Sequence, residues 1–323
     1  MSNVLLEVKN LKAKFPTPKG DLHVLNGVSF KVNRQECFGI IGESGCGKTM
    51  TAMSILHYAD RLGLQITDGE IIFEGEDVLQ FSPKRLREYN GKEAAIILQN
   101  PMEALDPLYT VKNQMYETIK KHRKVTTKEA SAIMYEVAKE LSIAPEKLDC
   151  YPHELSGGML QRIVGAMIVI CRPKLIIADE PTTALDVTTQ LQYLKLLKRI
   201  QKEYHTSIIF VSHDIKVVSM ICDRIAVMYA GEIVEIAPVN ELLCQPKHPY
   251  TRALLQSANL ERVIRNKYET IEGTPPGLLE EIHRCPFEER CKYAAGKCYD
   301  RKPEIICCGD GHKVKCHYPL ADK

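Results

Sequence analysis

The hydrophobic pattern of this 323-residue chain changes character as it is followed from end to end. Leu5-Leu6-Glu7-Val8 and Val24-Leu25-Asn26-Gly27-Val28-Ser29-Phe30-Lys31-Val32 alternate apolar and polar residues, and Pro16, Pro18 and Gly20 punctuate the stretch between them. That pattern predicts an antiparallel β section. Four further runs are apolar throughout: Cys37-Phe38-Gly39-Ile40-Ile41, Ala94-Ala95-Ile96-Ile97-Leu98, Leu175-Ile176-Ile177-Ala178 and Ser207-Ile208-Ile209-Phe210-Val211. Strands covered on both faces read this way, so a mixed α/β fold with a parallel core is expected. Between Gln99 and Ser156 the period becomes helical. Thr126 and Glu129 stand at capping-box spacing, and Ala130, Ile133, Met134, Val137, Ala138 and Leu141 then recur at helical intervals. An amphipathic helix set into an α/β core suggests a lobe presented to another molecule; a helix that merely covers the sheet is the alternative. After residue 236 the rhythm stops, and Pro238, Pro246, Pro249, Pro275, Pro276 and Gly277 mark a separate C-terminal segment.

The first buried strand leads into Gly42-Glu43-Ser44-Gly45-Cys46-Gly47-Lys48-Thr49, followed by the helix-compatible Met50-Thr51-Ala52-Met53-Ser54-Ile55-Leu56. Glycines 42, 45 and 47 let the backbone curl until successive N–H groups point inward at the start of a helix, a cradle for anionic oxygens. Lys48 then reaches terminal phosphates and the Thr49 hydroxyl holds Mg²⁺, which makes this a nucleoside triphosphate site.

The third apolar run ends in Asp179-Glu180-Pro181. Strand ends of an open α/β sheet are where ligands sit. Asp179 suits the carboxylate that orients Mg²⁺ through its waters, and Glu180 is placed to activate an attacking water. Two acids after a strand are by themselves equally a solvated strand end; the phosphate loop is what turns them into chemistry. His213 follows the fourth run and Gln99 the second, giving an imidazole for the γ-phosphate and an amide oxygen for the metal or the water. Leu155-Ser156-Gly157-Gly158-Met159-Leu160-Gln161-Arg162 supplies a second helix start, with Ser156 a natural N-cap and two glycines exposing N–H groups. One nucleotide needs one such cradle in cis. A second makes sense if it closes on a nucleotide held by another subunit.

Composition narrows the partners. Net charge is +2 with 26% charged residues, so no broad basic field draws nucleic acid, and Lys120-Lys121-His122-Arg123-Lys124 is read as a solvated face. No leader is seen at the N-terminus and no run approaches the roughly 18 uncharged apolar residues that span a bilayer, so a cytosolic chain touching a membrane through a partner is expected.

In order and spacing these elements resemble the ATP-binding subunit of an ABC transporter over nearly the whole chain. Gln99, Ser156-Gly157-Gly158, Asp179-Glu180, Ala184-Leu185-Asp186 and His213 complete the set begun by the phosphate loop. The resemblance implies a P-loop ABC-type ATPase core over 1–240 with an antiparallel β subdomain and a helical subdomain at about 101–165. It implies two ATPase subunits, identical or different, sandwiching two nucleotides, with Phe15 stacked on adenine, Gln99 sensing a transmembrane partner and Asp186 communicating across the dimer. The finer likeness is to the ATPases of dipeptide, oligopeptide and nickel importers. Asn100-Pro101-Met102-Glu103-Ala104-Leu105-Asp106-Pro107 resembles their loop, and His248-Pro249-Tyr250-Thr251 the opening of their C-terminal extension, here 241–323. Met159 stands where the wider family has glutamine, as is usual in this importer group, and Leu160 where the group often has arginine; serine and glycines are kept, so catalytic competence is expected. Two transmembrane permease subunits, and indirectly an extracytoplasmic binding protein, are the implied partners, at the cytoplasmic face of the membrane. Nickel or a metal chelate is the alternative cargo, and a soluble ABC ATPase without a pore is the more distant alternative.

Twelve cysteines in a chain expected in a reducing compartment need a reason. Six are scattered, while Cys285, Cys291, Cys298, Cys307, Cys308 and Cys316 crowd the last forty residues. Gaps of five, six and seventeen residues separate Cys285, Cys291, Cys298 and Cys316, wider than the paired knuckles of structural zinc. A [4Fe–4S] cluster is expected there, with Zn²⁺ as the alternative, stapling a short Pro-rich extension. The importers that the chain resembles carry such a cysteine set, and some of them hold iron–sulfur.

Overall fold

The computed structural model describes residues 3–183, 185–258 and 271–321. By internal contact the chain divides into two units, residues 1–33, 37–80 and 210–323 in the first and 34–36 with 81–209 in the second. The chain returns from the second unit to the first within the fully buried strand Ser207–Ser212.

The first unit contains the antiparallel section expected from the alternating pattern. Val4–Thr17 pairs with Gly20–Asn33 on one side and Gln65–Phe73 on the other, and Gln65–Phe73 pairs in turn with Glu76–Asp77. The hairpin closes where the Thr17 hydroxyl donates to the Gly20 carbonyl at 2.6 Å. Val24, Leu25, Val28, Phe30 and Val32 are buried, as a strand with one face in a core requires. A second set of strands runs in the order Ile305–Gly309, His312–Lys315, Glu232–Pro238, Arg224–Tyr229, Cys37–Ile41. Only the last two of these pair in parallel. Phe38, Ile40, Ile41, Ile225, Ala226, Val227 and Met228 are shut from solvent.

The C-terminal segment is more regular than its prolines suggested. After the helices Val239–Cys244 and Pro249–Ser257 it returns as a hairpin turned at Gly311 (φ +76°), and its His312–Lys315 strand pairs antiparallel with Glu232–Pro238. Proline stops a helix or a strand locally, but it does not prevent a later strand from finding an open sheet edge.

In the second unit Ala94–Ile97 and Leu175–Asp179 pair in parallel. Around them are the helices Pro83–Lys92, Val111–His122, Thr127–Glu140, Gly157–Cys171 and Val187–Tyr204. The capping box is formed: the Thr126 hydroxyl accepts from the Glu129 N–H, and the Glu129 carboxylate accepts from the Thr126 N–H at 2.7 Å. Ala130, Met134, Val137 and Ala138 turn inward, and the helix packs on Val111–His122 and Gly157–Cys171. No helix among the described residues is long and apolar enough to cross a membrane.

Candidate functional site

Loop 42–47 connects the buried strand Cys37–Ile41 to the helix Lys48–Ile55. Gly47 is its helix N-cap with φ +104°, and a Cβ there would stand 2.8 Å from the Met228 methyl and 2.9 Å from the Val24 carbonyl oxygen. Glycine is required on both counts. With no side chain capping this helix, its first N–H groups face the loop, and the positive end of the helix dipole adds to them. Lys48 is almost wholly buried and its ammonium donates to the Gly42 and Glu43 carbonyls, each at 2.9 Å. The Cys46 thiol lies 3.9 Å from that ammonium, and burial holds it in the neutral form. Ser44 and Gly45 are exposed, and Thr49 and Phe15 half-buried.

The Glu43 position is fixed from outside the loop. Its N–H donates to the Tyr250 hydroxyl at 3.0 Å, and its carboxylate takes a two-pronged ion pair from Arg290 at 2.8 and 3.0 Å. Arg290 donates further to the Tyr229 hydroxyl and to the Ile271 and Glu272 carbonyls. Tyr229, Tyr250 and Phe287 form an aromatic knot with ring centres 4.7, 5.2 and 5.4 Å apart. His213, in the same unit, is exposed just beyond the strand Ser207–Ser212.

In the second unit, Asp179 ends the strand Leu175–Asp179 and is 6% exposed. Glu180 follows with φ +46°, a left-handed turn unusual for a residue with a side chain. Its carboxylate accepts from the Thr183 hydroxyl at 3.1 Å. Gln99 is exposed, two residues past the strand Ala94–Ile97. Ser156 stands at the N-cap of Gly157–Cys171, but its hydroxyl makes no capping hydrogen bond, unlike the expectation from its type. Ser156, Gly158, Met159, Arg162, Thr189 and Tyr193 line a cavity of about 210 Å³. One wall is set by Asp186, which caps Val187–Tyr204 through Thr188 and Thr189 and so fixes Thr189 against Gly158. Gln161 joins the two parts of this unit's site by donating to the Pro181 carbonyl at 2.7 Å. Ala184 lies outside the described residues.

The metal expected in the extension is not supported. Cys285, Cys298 and Cys316 are buried and Cys291 half-buried, yet among the described residues no three His, Cys, Asp or Glu side chains gather as a metal would need, for a [4Fe–4S] cluster or for zinc. Burial first, and the neighbouring cysteines after it, push the Cys285 thiol up to about 12 and the Cys316 thiol up to about 11. The extension is held by other means: the aromatic knot, Arg290 on Glu43, and Glu235. Glu235 is buried in the strand Glu232–Pro238, and its carboxylate accepts from the Lys247 N–H, the His248 N–H and His312 Nε2 at 2.7–2.9 Å.

The sequence reading missed Arg290, Tyr229, Glu235 and His312. Arg290 carries no local signal. Glu232 and Glu235 did carry one, as two acids within an otherwise apolar run.

Comparison with known proteins gives the family. Residues 25–183 match the ABC transporter family and residues 234–298 the oligopeptide/dipeptide transporter C-terminal region. The probable D,D-dipeptide transport ATP-binding protein DdpD of Escherichia coli (strain K12) is 42% identical over 322 residues, covering 99% of this chain and 98% of that protein. The dipeptide transport ATP-binding protein DppD of Bacillus subtilis (strain 168) is 41% identical over 314 residues, covering 97% and 94%. Among solved structures, the dimeric post-hydrolysis state of the ATP-binding cassette MJ0796 bound to ADP and Pi is similar with TM-score 0.64 and 25% identity, over 72% of this chain and 98% of that one. The chain belongs to the ATP-binding proteins of ABC transporters, in the group that carries the oligopeptide/dipeptide C-terminal region. It is an ATPase.

Proposed function

We propose that this chain is one of a pair of ATPase subunits that hydrolyse ATP to drive import of di- or oligopeptides through separate transmembrane permease subunits, docked peripherally at the cytoplasmic face of the membrane. An extracytoplasmic binding protein delivers the cargo. The observation that carries the proposal is the glycine-built loop 42–49 in a chain alike over nearly its full length to peptide transport ATP-binding proteins. The dimeric state of the similar MJ0796 cassette supports pairing.

In this reading Lys48 and the N–H groups at the start of Lys48–Ile55 hold the phosphates, and Phe15 stacks on adenine. The oxygens of Thr49, Gln99 and Asp179 are hard donors that fit Mg²⁺, which when bound neutralises phosphate charge. Glu180 accepts a proton from water as the water oxygen bonds to the γ-phosphorus and the bond to the β–γ bridging oxygen breaks, releasing ADP. Its left-handed turn and the Thr183 hydroxyl support that role by fixing the carboxylate. His213 and Gln99 orient the γ-phosphate and the water. Ser156, Gly157 and Gly158 of each subunit complete the nucleotide pocket of the other. The Ser156 hydroxyl supports this, because it is exposed and not used in a cap.

The test is Glu180→Gln in the purified full chain. Hydrolysis is expected to fall at least about a hundredfold with ATP binding kept and nucleotide-bound dimers accumulating. Hydrolysis at the wild-type rate would remove Glu180 from the mechanism.

A further inference from the structure

We infer that Arg290 and Tyr250 of the C-terminal extension are positioning residues for the phosphate loop, acting through Glu43, so that ATP affinity is set in part from outside the core that binds it. The inference rests on the reading of loop 42–49 as the ATP site.

Three different groups of Glu43 are engaged at once. Its N–H goes to Tyr250, its carboxylate to Arg290, and its carbonyl accepts from the Lys48 ammonium. One residue therefore links the extension to the cation that meets the terminal phosphates. The clamp is stiff at its far end. The Arg290 side chain is 5% exposed, and its remaining donors are satisfied by the Tyr229 hydroxyl and by backbone carbonyls of Ile271 and Glu272. Tyr250 is closed from solvent among Tyr229 and Phe287, and its own helix is anchored where His248 accepts the Tyr250 N–H and Glu235 accepts the His248 N–H. A guanidinium fork on a carboxylate fixes angle as well as distance. A site held by such a supporting layer keeps its donors aimed before ligand arrives, and it loses affinity when that layer is cut. Nothing in the chemistry of nucleotide binding by the loop itself requires a glutamate at position 43; the Arg290 ion pair gives that side chain its purpose, while the Tyr250 contact uses the backbone N–H.

The experiment is an ATP-binding titration on the full-length chain, with circular dichroism and thermal melting in parallel. Arg290→Gln is expected to raise the ATP dissociation constant about tenfold and Tyr250→Phe, which removes only the hydroxyl, about threefold. Arg290→Lys should recover part of the loss, since charge returns without the fork. The decisive arm is the double variant Glu43→Gln with Arg290→Gln, expected to bind no more weakly than the worse single, because both remove one linkage. Unchanged affinity in folded Arg290→Gln overturns the inference, as do losses that multiply in the double. If Arg290→Gln does not fold, unchanged affinity in Tyr250→Phe decides against it. Failure of the wild-type chain to bind ATP overturns the reading of the loop itself.

Discussion

Gln161 donates to the Pro181 carbonyl across 2.7 Å, tying the helix that opens at Ser156 to the turn that carries Glu180. The donor is nearly buried, so the bond lies where loss of a partner is not repaired by water. Replacing Gln161 with Leu leaves the Pro181 carbonyl unmet in the interior. The expected result is about 1–3 kcal/mol less stability in urea unfolding, and a several-fold lower kcat with little change in ATP binding. Equal kcat in both proteins would show that the turn holds Glu180 without this tie.

His248 gives the extension a pH dependence of known sign. Burial is the main cause pushing the imidazole down to about 4, against partial opposition from Glu235. The native fold needs the neutral ring, because Nδ1 accepts the Tyr250 N–H and a protonated ring has no lone pair there. Between about pH 4 and the ordinary value near 6.5, the unfolded chain binds the extra proton and the folded chain does not. Stability from this group is complete above about 6.5, is lost as pH falls through that window, and amounts to about 3 kcal/mol. His248→Asn keeps a helix cap without a titrating ring. Its unfolding free energy should fall less steeply between pH 6.5 and 4 than that of the parent chain; matching slopes would assign the dependence elsewhere.

The thiols divide by burial. Cys244, Cys307 and Cys308 are exposed, while Cys285 and Cys316 are buried and held protonated. Iodoacetamide at pH 8, read by mass spectrometry, should label the exposed three in minutes and reach Cys285 and Cys316 only after denaturation. Early labelling of Cys285 would mean that the extension opens in solution.

What could be read in advance follows a physical divide. The continuous apolar runs became buried strands because burial on both faces leaves no other composition, and Thr126 with Glu129 formed its box because capping is decided within one turn. The glycines of the phosphate loop were legible for the same local reason. Gln65–Phe73 and the paired strands of the C-terminal segment were not, because an open edge elsewhere in the chain decides whether they pair. Arg290 and Glu43 are 247 positions apart, and no spacing rule links them. Cysteine spacing pointed to a metal, whereas among the described residues the thiols do not gather as a metal would need, because where they come to rest is decided by long-range packing and not by their intervals. Ser156 has the right type for a cap and leaves its hydroxyl unused for one, which sequence cannot foretell.

The Glu235 carboxylate has a final consequence, for the fate of damaged copies. Segments near residues 247 and 312 are stitched to this single anion, so a protease cut that frees the last hairpin would strand a negative charge inside the protein with part of its shell gone. A nicked molecule should be less stable than the intact one in the unit that holds Glu235 and easier to clear, instead of lingering as a half-working motor that burns fuel without moving cargo.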